Sequence, residues 1–346
     1  MEPLISILIP AFNAEIWIGD TIRSALEQTW RQKEIIVVDD GSTDQTLAIA
    51  RRFASDAVSV LTQPHQGAAA ARNKAFSVCR GDYIQWLDAD DLLAPDKIAT
   101  QLATLHNCHS KRRLVSSAWG SFRYRPHKAQ FTQTDLWCDL VPLEWLLRKW
   151  EQHLIMPPAA WLVSRELTEA AGRWDTRLTY DDDGEYFCRV ILASDGIRFV
   201  PEARTFYRRG FESLGYLGRS NEKLESQFRS MQLQIGYLRT LQDNDRVRAA
   251  CLKYLQHWLV FFYPDRPHIV RQLEQIAASL GRQLGPPRLS WKYAWIQRVF
   301  GWPAAKRTQF YYYQWKASVA RSWDFALSRL AQRSPSASSG ARASSP

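Results

Sequence analysis

Four short runs in this sequence combine residue types that could do chemistry. Asp88-Ala89-Asp90-Asp91 sets carboxylates directly after a short apolar run. Such a turn can offer hard oxygen ligands to a divalent cation. Two carboxylates do not fill a six-coordinate shell, so diphosphate oxygens and water would complete it. The plainer reading is a solvated turn that caps the next helix. Asp39-Asp40-Gly41-Ser42 is either a strand-ending turn with Ser42 or Asp44 as helix cap, or a carboxylate facing a base or ribose. In the second case Gly41 lets a backbone come close. Gln66-Gly67-Ala68-Ala69-Ala70-Ala71-Arg72-Asn73 supplies small residues for tight helix packing, and Arg72 could aim forked donors at a diphosphate. Asp181-Asp182-Asp183 is an acidic helix cap that suits the helix dipole, or it holds a carboxylate able to take a proton from an incoming hydroxyl. Taken singly, none of the four chooses between its readings.

The elements around these runs bring them together. Apolar runs at 4–10, 34–38, 57–61 and 82–87 read as strands, and the segments 14–30, 44–54, 68–79 and 95–106 carry helical spacing or helix-start residues. Alternating strand and helix predicts an α/β domain with a mostly parallel sheet. Such sheets bind ligands beyond the carboxyl ends of their strands. The clusters 10–13, 39–42 and 88–91 each follow a predicted strand, so they are expected at one edge of the sheet. Further along, 114–119 and 158–164 are strand candidates with a loop-rich region between them. Residues 184–194 read as a helix and 197–207 as a last strand. From about 220 to 330 the pattern is helical and rich in aromatic residues, and the Ser/Ala/Pro-rich tail is expected to be disordered. The expected organisation is 1–210 catalytic, 211–332 helical, aromatic-rich and basic, and 333–346 a disordered tail.

Composition narrows the classes. The chain has 346 residues, 46% hydrophobic and 23% charged, which excludes wholesale disorder. No run approaches the roughly 20 apolar residues of a membrane-spanning helix, and the first residues lack the basic region of a secretory signal peptide. The net charge of +10 favours an anionic partner such as a nucleotide diphosphate, phospholipid headgroups or nucleic acid. The five cysteines, Cys79, Cys108, Cys138, Cys188 and Cys251, are scattered and form no Cys-x-x-Cys, so they read as reduced, mostly buried thiols of a cytoplasmic protein. Glycine-rich dinucleotide and P-loop motifs and a nucleophile elbow are absent from the sequence. His106-Asn107-Cys108-His109 offers soft ligands but lacks the partners of a zinc site.

In order along the chain, ISILIPAFNAE (5–15), EIIVVDDGSTDQT (34–46), QGAAAARNKAF (66–76), GDYIQWLDADDLLAPDKI (81–98) and DDDGEYFCRV (181–190) closely resemble the family 2 glycosyltransferases of the GT-A fold. The resemblance covers about residues 3–205. It implies a Rossmann-like nucleotide-diphospho-sugar transferase fold, with a mostly parallel mixed sheet and a C-terminal helical subdomain. It also implies sugar transfer from a nucleotide-diphosphate donor to an acceptor hydroxyl, with inversion and a divalent cation, Mn2+ or Mg2+, as expected in cell-surface polysaccharide or glycolipid synthesis. By resemblance, Pro10, Phe12 and Asp40 lie against the nucleotide base with Asp39 beside them, and Arg72 approaches the diphosphate. Asp88 and Asp90 stand at the DxD positions that touch ribose and metal, and Asp91 is an auxiliary acid. Asp183 matches the general base, and Arg189 has its usual place on the same helix. The family commonly has Glu-Asp followed by an aromatic residue, whereas here Asp182-Asp183 is followed by Gly184, so Asp182 is a second candidate for the base. An alternative within the same fold is a non-catalytic module that binds sugar nucleotides or glycans.

The region 220–330 lies outside the resemblance. Its rings, among them Trp258, Trp291, Trp295, Tyr312 and Trp315, are interleaved with Lys292, Arg298, Lys306 and Arg307. One reading is a helical subdomain packed on the catalytic core. The other is an interfacial surface for peripheral contact with a membrane, at the inner face of the cytoplasmic membrane, suited to a lipid-linked or envelope acceptor; the expected acceptor is a saccharide or a lipid-linked one. No nucleic-acid partner is expected.

Overall fold

In the computed structural model, which describes residues 2–105, 110–209, 220–287 and 289–333, the first apolar run forms a fully buried strand, β1 (Ile5–Ala11). Strand side chains alternate between faces. Ile5, Ile7 and Ile9 therefore enter one apolar cluster and Leu8 another. Burial on both faces explains why the run is continuously apolar. β2 (Lys33–Asp39), β3 (Val58–Thr62) and β4 (Tyr83–Trp86) join β1 in parallel, and the short β8 (Val163–Ser164) pairs antiparallel with β4. The order is β3-β2-β1-β4-β8. The chain steps outward from β1 to β3 and then returns to the other side of β1. The topological switch point, and with it the ligand crevice of such a sheet, falls between β1 and β4.

Helices cover both faces. α1 (Ile18–Leu26), α2 (Thr46–Arg51) and α4 (Lys97–Ala103) bury Ile18, Ile22, Ala50, Ile98 and Leu102 against one face. α3 (Ala68–Val78), α5 (Pro142–Gln152), α6 (Arg165–Ala171) and α7 (Asp182–Ala193) close the other. A second sheet, ordered β5-β9-β6-β7, is built from β5 (Leu92–Leu93), β6 (Arg113–Phe122), β7 (Gln130–Phe131) and β9 (Gly196–Arg208).

Three expectations need correction. The stretch 158–164 is a strand only at Val163–Ser164; Pro158–Ala160 is a single 3-10 turn, since a proline there has no N–H for a ladder. The loop-rich region before it contains α5, whose Trp145, Leu146, Leu147 and Trp150 are buried. The helical signal is in fact present there, since Leu143, Leu146, Leu147 and Trp150 recur at the i, i+3, i+4, i+7 spacing of one helix face; the reading as loop passed over it. The acidic run does not precede its helix: Asp182 and Asp183 form the first turn of α7, and Asp181, at φ 56°, is its cap residue.

After residue 219, α8 (Asn221–Leu241) and α9 (Asp245–Phe262) begin with side-chain caps from Ser220 and Asn244, and α10 (Pro267–Ser279) follows. Leu224, Phe228, Met231, Cys251, Leu255 and Phe262 enter the same apolar cluster as α5 and α7. Trp150 stacks on Tyr254 at 4.9 Å and 5°. This stretch is therefore packed on the core. α11 (Ala294–Arg333) is different: it kinks at Gly301, at φ 80°, and exposes Trp295, Phe300, Trp315 and Trp323. No helix among the described residues is long and apolar enough to cross a membrane. Cys79, Cys188 and Cys251 are buried and unbonded, whereas Cys138 is exposed. Cys108, the His106–His109 cluster and residues 334–346 of the tail lie outside the described residues.

Candidate active site

The carboxyl ends of β1, β2 and β4 position the sequence-derived candidates. Leu8 pairs with Trp86 and Ala11 with Asp39. Continuing those registers sets Pro10 beside Asp88 and Phe12 beside Asp40, with neighbouring strands about 4.8 Å apart.

Arg72 draws distant segments to one point. It is buried on α3, and its guanidinium donates to Asp88 at 2.7 Å and to Asp182 at 2.6 Å. It also lies 4.3 Å over the Trp174 ring. The two carboxylates hold the Arg72 charge more firmly than usual against the opposing effect of burial. The end of β4 and the head of α7 are thus clamped across the crevice. Burial pushes the Asp182 carboxyl up to about 6, with Arg72 opposing and Asp183 and Asp88 adding to the rise. Asp183 differs from Asp182 in its partners: the hydrogen bond recorded for its carboxylate is the one it accepts from the Gly184 N–H, at 2.9 Å. Asp181 points the other way, into the helical layer. Its carboxylate accepts from Ser230 at 2.6 Å and Gln234 at 2.9 Å, and burial pushes it up to about 6.

The turn 88–91 is pinned from two sides. The Thr21 hydroxyl on α1 donates to the carbonyls of Ala89 and Asp91. Arg208, at the end of β9, donates its side chain to the Asp90 carbonyl and its N–H to the Asp91 carboxylate, each at 2.7 Å. Its guanidinium sits between Trp17, at 3.9 Å, and Phe122, at 4.4 Å. Asp91, grouped from the sequence with Asp88 and Asp90 as an auxiliary acid of the metal turn, is fully buried and faces this anchor rather than the crevice; burial pushes its carboxyl well up, with Asp90 and Asp88 adding to the rise. Burial, then Asp88, pushes the Asp90 carboxyl up to about 6.

Asp40 does not face open space. Its carboxylate accepts from the N–H groups of Gln66 at 2.9 Å and Gly67 at 2.8 Å and from the Gln63 amide at 2.6 Å, and it contacts His65 at 2.9 Å. In this way it holds the 63–67 loop against β1, where His65 stacks on the exposed Phe12 at 4.1 Å and 22°. The flat surface at this edge is therefore a Phe12–His65 pair rather than Phe12 with a free Asp40. Asp39 is buried; one of its oxygens accepts from the Ser42 N–H and the other has no partner among the described atoms. Pro10 is buried at the end of β1. Arg189 is turned away from the crevice, bonded to Glu185 and to the carbonyls of Ala171 and Arg173.

His65, Trp17, Trp174 and Arg208 were not singled out from the sequence as site residues. His65 lies in a recognisable turn, but its stacking partner is across the sheet edge. Arg208 ends a predicted strand with nothing local to mark it.

No group of three His, Cys, Asp or Glu side chains among the described residues is placed to hold a metal by itself. Asp88 and Asp90 nevertheless fit a hard divalent cation that takes its other ligands from elsewhere. They are oxygen donors, close enough for the charge of Asp88 to act on Asp90, in a site whose carboxylates outnumber its two buried arginines.

The sequence profile described as Glycosyl transferase family 2 matches residues 6–168. A glycosyltransferase of Rickettsia typhi is 30% identical over 200 residues, 56% of this chain and 60% of that protein. The putative teichuronic acid biosynthesis glycosyltransferase TuaG of Bacillus subtilis is 39% identical over 104 residues, 29% of this chain and 41% of that protein. The chain thus matches 60% or less of the length of these relatives. Among solved structures, residues 1–349 of S. aureus TarS in complex with UDP-GlcNAc superpose with a TM-score of 0.63 at 16% identity, covering 80% of this chain and 81% of that one. The mannosyltransferase PcManGT of Pyrobaculum calidifontis, in complex with GDP-Man and Mn2+, gives 0.53 at 19% identity, covering 94% and 88%. These two establish the likeness of fold.

Proposed function

We propose that this chain, whose residues 6–168 match the profile of the family 2 glycosyltransferases, is a glycosyltransferase that moves a sugar from a nucleoside-diphosphate donor to an acceptor hydroxyl, with inversion, in building a polysaccharide. The observation that carries this reading is the Arg72 fork, which ties Asp88 to Asp182 at the switch-point crevice. The relative named for teichuronic acid synthesis supports the polysaccharide assignment. The UDP and GDP sugars bound by the two structural neighbours support the donor class.

The chemistry falls to residues 1–210, with 211–332 as the accessory region. The Phe12–His65 pair receives the nucleotide base, held in place by the loop that Asp40 organises. Asp39 lies beside it, near the ribose. Arg72 presents a fixed positive charge toward the diphosphate. Asp88 and Asp90 would hold the divalent cation; the Mn2+ complex of the neighbour supports a cation of that class. A bound Mn2+ or Mg2+ shields charge on the departing diphosphate. Asp183 accepts the proton of the attacking acceptor hydroxyl at a carboxylate oxygen. Asp182 is occupied by Arg72 and positions the head of α7, so the two adjacent acids have separate tasks. The leaving diphosphate needs no protonating acid, so the paired carboxylates of a glycosidase are not required. A nucleotide-activated donor and the free thiols among the described residues support a cytoplasmic side for this activity.

The test is transfer and donor hydrolysis by the purified chain with UDP and GDP sugars and manganese. Asp90→Asn and Asp183→Asn are each expected to abolish turnover, and only the first to weaken metal-assisted donor binding. Full activity in both folded variants would overturn the site assignment. Binding without turnover in the parent chain, across donors and acceptors, would favour the non-catalytic module.

A further inference from the structure

We propose that α11 is a docking surface for an anionic lipid bilayer, on which it lies parallel to the surface. The claim goes beyond the transfer reaction and stands whether or not the donor assignment holds.

Large exposed apolar side chains are concentrated here. Trp291, Trp295 and Phe300 precede or flank the kink and are 81%, 61% and 65% exposed. After the kink, Trp315, Val319 and Trp323 recur every fourth residue and are 63%, 50% and 68% exposed. Residues at that spacing share one helix face. The rest of the C-terminal region does not behave this way, since α8, α9 and α10 bury their apolar faces.

The charge selects the occupant. From 291 to 333 the sequence has eight Lys or Arg and one acid, Asp324. That acid is already committed to Arg125, at 2.6 Å, while Lys306 is buried against Asp265. The remaining cations, Lys316 and Arg307 among them, accompany the aromatic stripe. A second copy of this helix would bring like charges together. A bilayer with anionic headgroups takes both features: rings and aliphatic groups settle at the headgroup–acyl boundary, and each nearby cation adds attraction. The helix is too polar to span, which leaves it in the interface plane.

The helix is also attached to the crevice. Phe325 packs on Tyr124 at 5.2 Å, Tyr124 on Trp17 at 5.4 Å, and Trp17 covers the Arg208 guanidinium that holds the Asp90 carbonyl. A bilayer bound to α11 therefore lies on the same side of the molecule as the acid turn.

The experiment is co-sedimentation of the full chain with vesicles of phosphatidylcholine alone and of phosphatidylcholine with phosphatidylglycerol at roughly three to one. Binding is expected only with the anionic vesicles, and it should fall as salt rises. Trp315→Gln with Val319→Gln is expected to lower partitioning about tenfold through lost apolar burial. Arg307→Gln with Lys316→Gln is expected to do so through lost charge, with an unchanged circular dichroism spectrum in both cases. Absence of binding to anionic vesicles overturns the proposal, and so does binding that neither folded double variant weakens. Self-association abolished by Trp315→Gln with Val319→Gln, or retention by single-stranded oligonucleotide but not by vesicles, also overturns it by naming another occupant.

Discussion

Arg72 joins two segments that share no local sequence relation, for Asp182 is 110 positions away. A lysine would keep the charge but lose the fork, because its ammonium is a single point. Arg72→Lys is expected to cost about 2 kcal/mol of stability through one lost charge-assisted hydrogen bond, measured by urea denaturation, and to lower turnover more than it raises KM. His65 makes a different prediction. His65→Ala removes one ring of the Phe12–His65 pair. Donor binding is then expected to weaken by about 1 kcal/mol, the scale of an aromatic pair, as read by titration calorimetry with the nucleotide diphosphate. At this scale the sequence was informative about identity and poor about partners. Asp40, Asp88 and Asp182 could be nominated from their runs. That Asp40 is used up by the 63–67 loop, and that Asp91 faces inward, depends on which donors the fold brings near them.

The head of α7 shows the same contrast at the scale of an element. Its acids were legible, but its start was not, because the αL cap at Asp181 is set by contacts with α8 and α9. Gly184 has a reason here that its sequence neighbours do not reveal: a Cβ would overlap the Asp181 carboxylate. Gly184→Ala is expected to destabilise the fold by about 1–3 kcal/mol, the range of overpacking, as measured by thermal melting. Asp181 also predicts a pH dependence. Its folded carboxyl titrates at about 6, above the roughly 3.9 of an unfolded aspartate. The folded state therefore binds the proton more tightly. Its contribution to stability is complete below about pH 4 and is lost as pH rises through about 6, at no more than about 1.4 kcal/mol per pH unit. Asp181→Asn is expected to remove that slope from denaturation curves taken between those values. α5 is the element that the sequence reading lost. Its Leu143, Leu146, Leu147 and Trp150 carry the helical period, so the signal was local and legible, but the surrounding aromatic and basic residues drew the reading toward a loop.

Across the whole molecule, the helical layer and the α/β sheet share one apolar cluster. The Trp150–Tyr254 stack lies in that seam. Trp150→Ala is expected to cost about 3–5 kcal/mol and to lower a single melting transition monitored from both regions. Two separated transitions in the parent chain would show that the layers fold apart. α11 shares this packing only in part: Phe310 stacks on Phe261 and Lys306 is buried against α9 and the residues that follow it, whereas Trp315 and Trp323 are exposed.

Sequence alone determined the strand runs of β1, β2 and β4, the acidic turns that follow β2 and β4, and a resemblance strong enough to name the fold, because hydrophobic periodicity and turn chemistry are local. It left open which carboxylate Arg72 would grip, which acid at the head of α7 would lie outside that fork, what would stack on Phe12 and which C-terminal rings would meet solvent. Those outcomes required the tertiary structure, since each pairs side chains from segments that approach only when the strand order reverses between β1 and β4 or when the helical layer closes over α5 and α7.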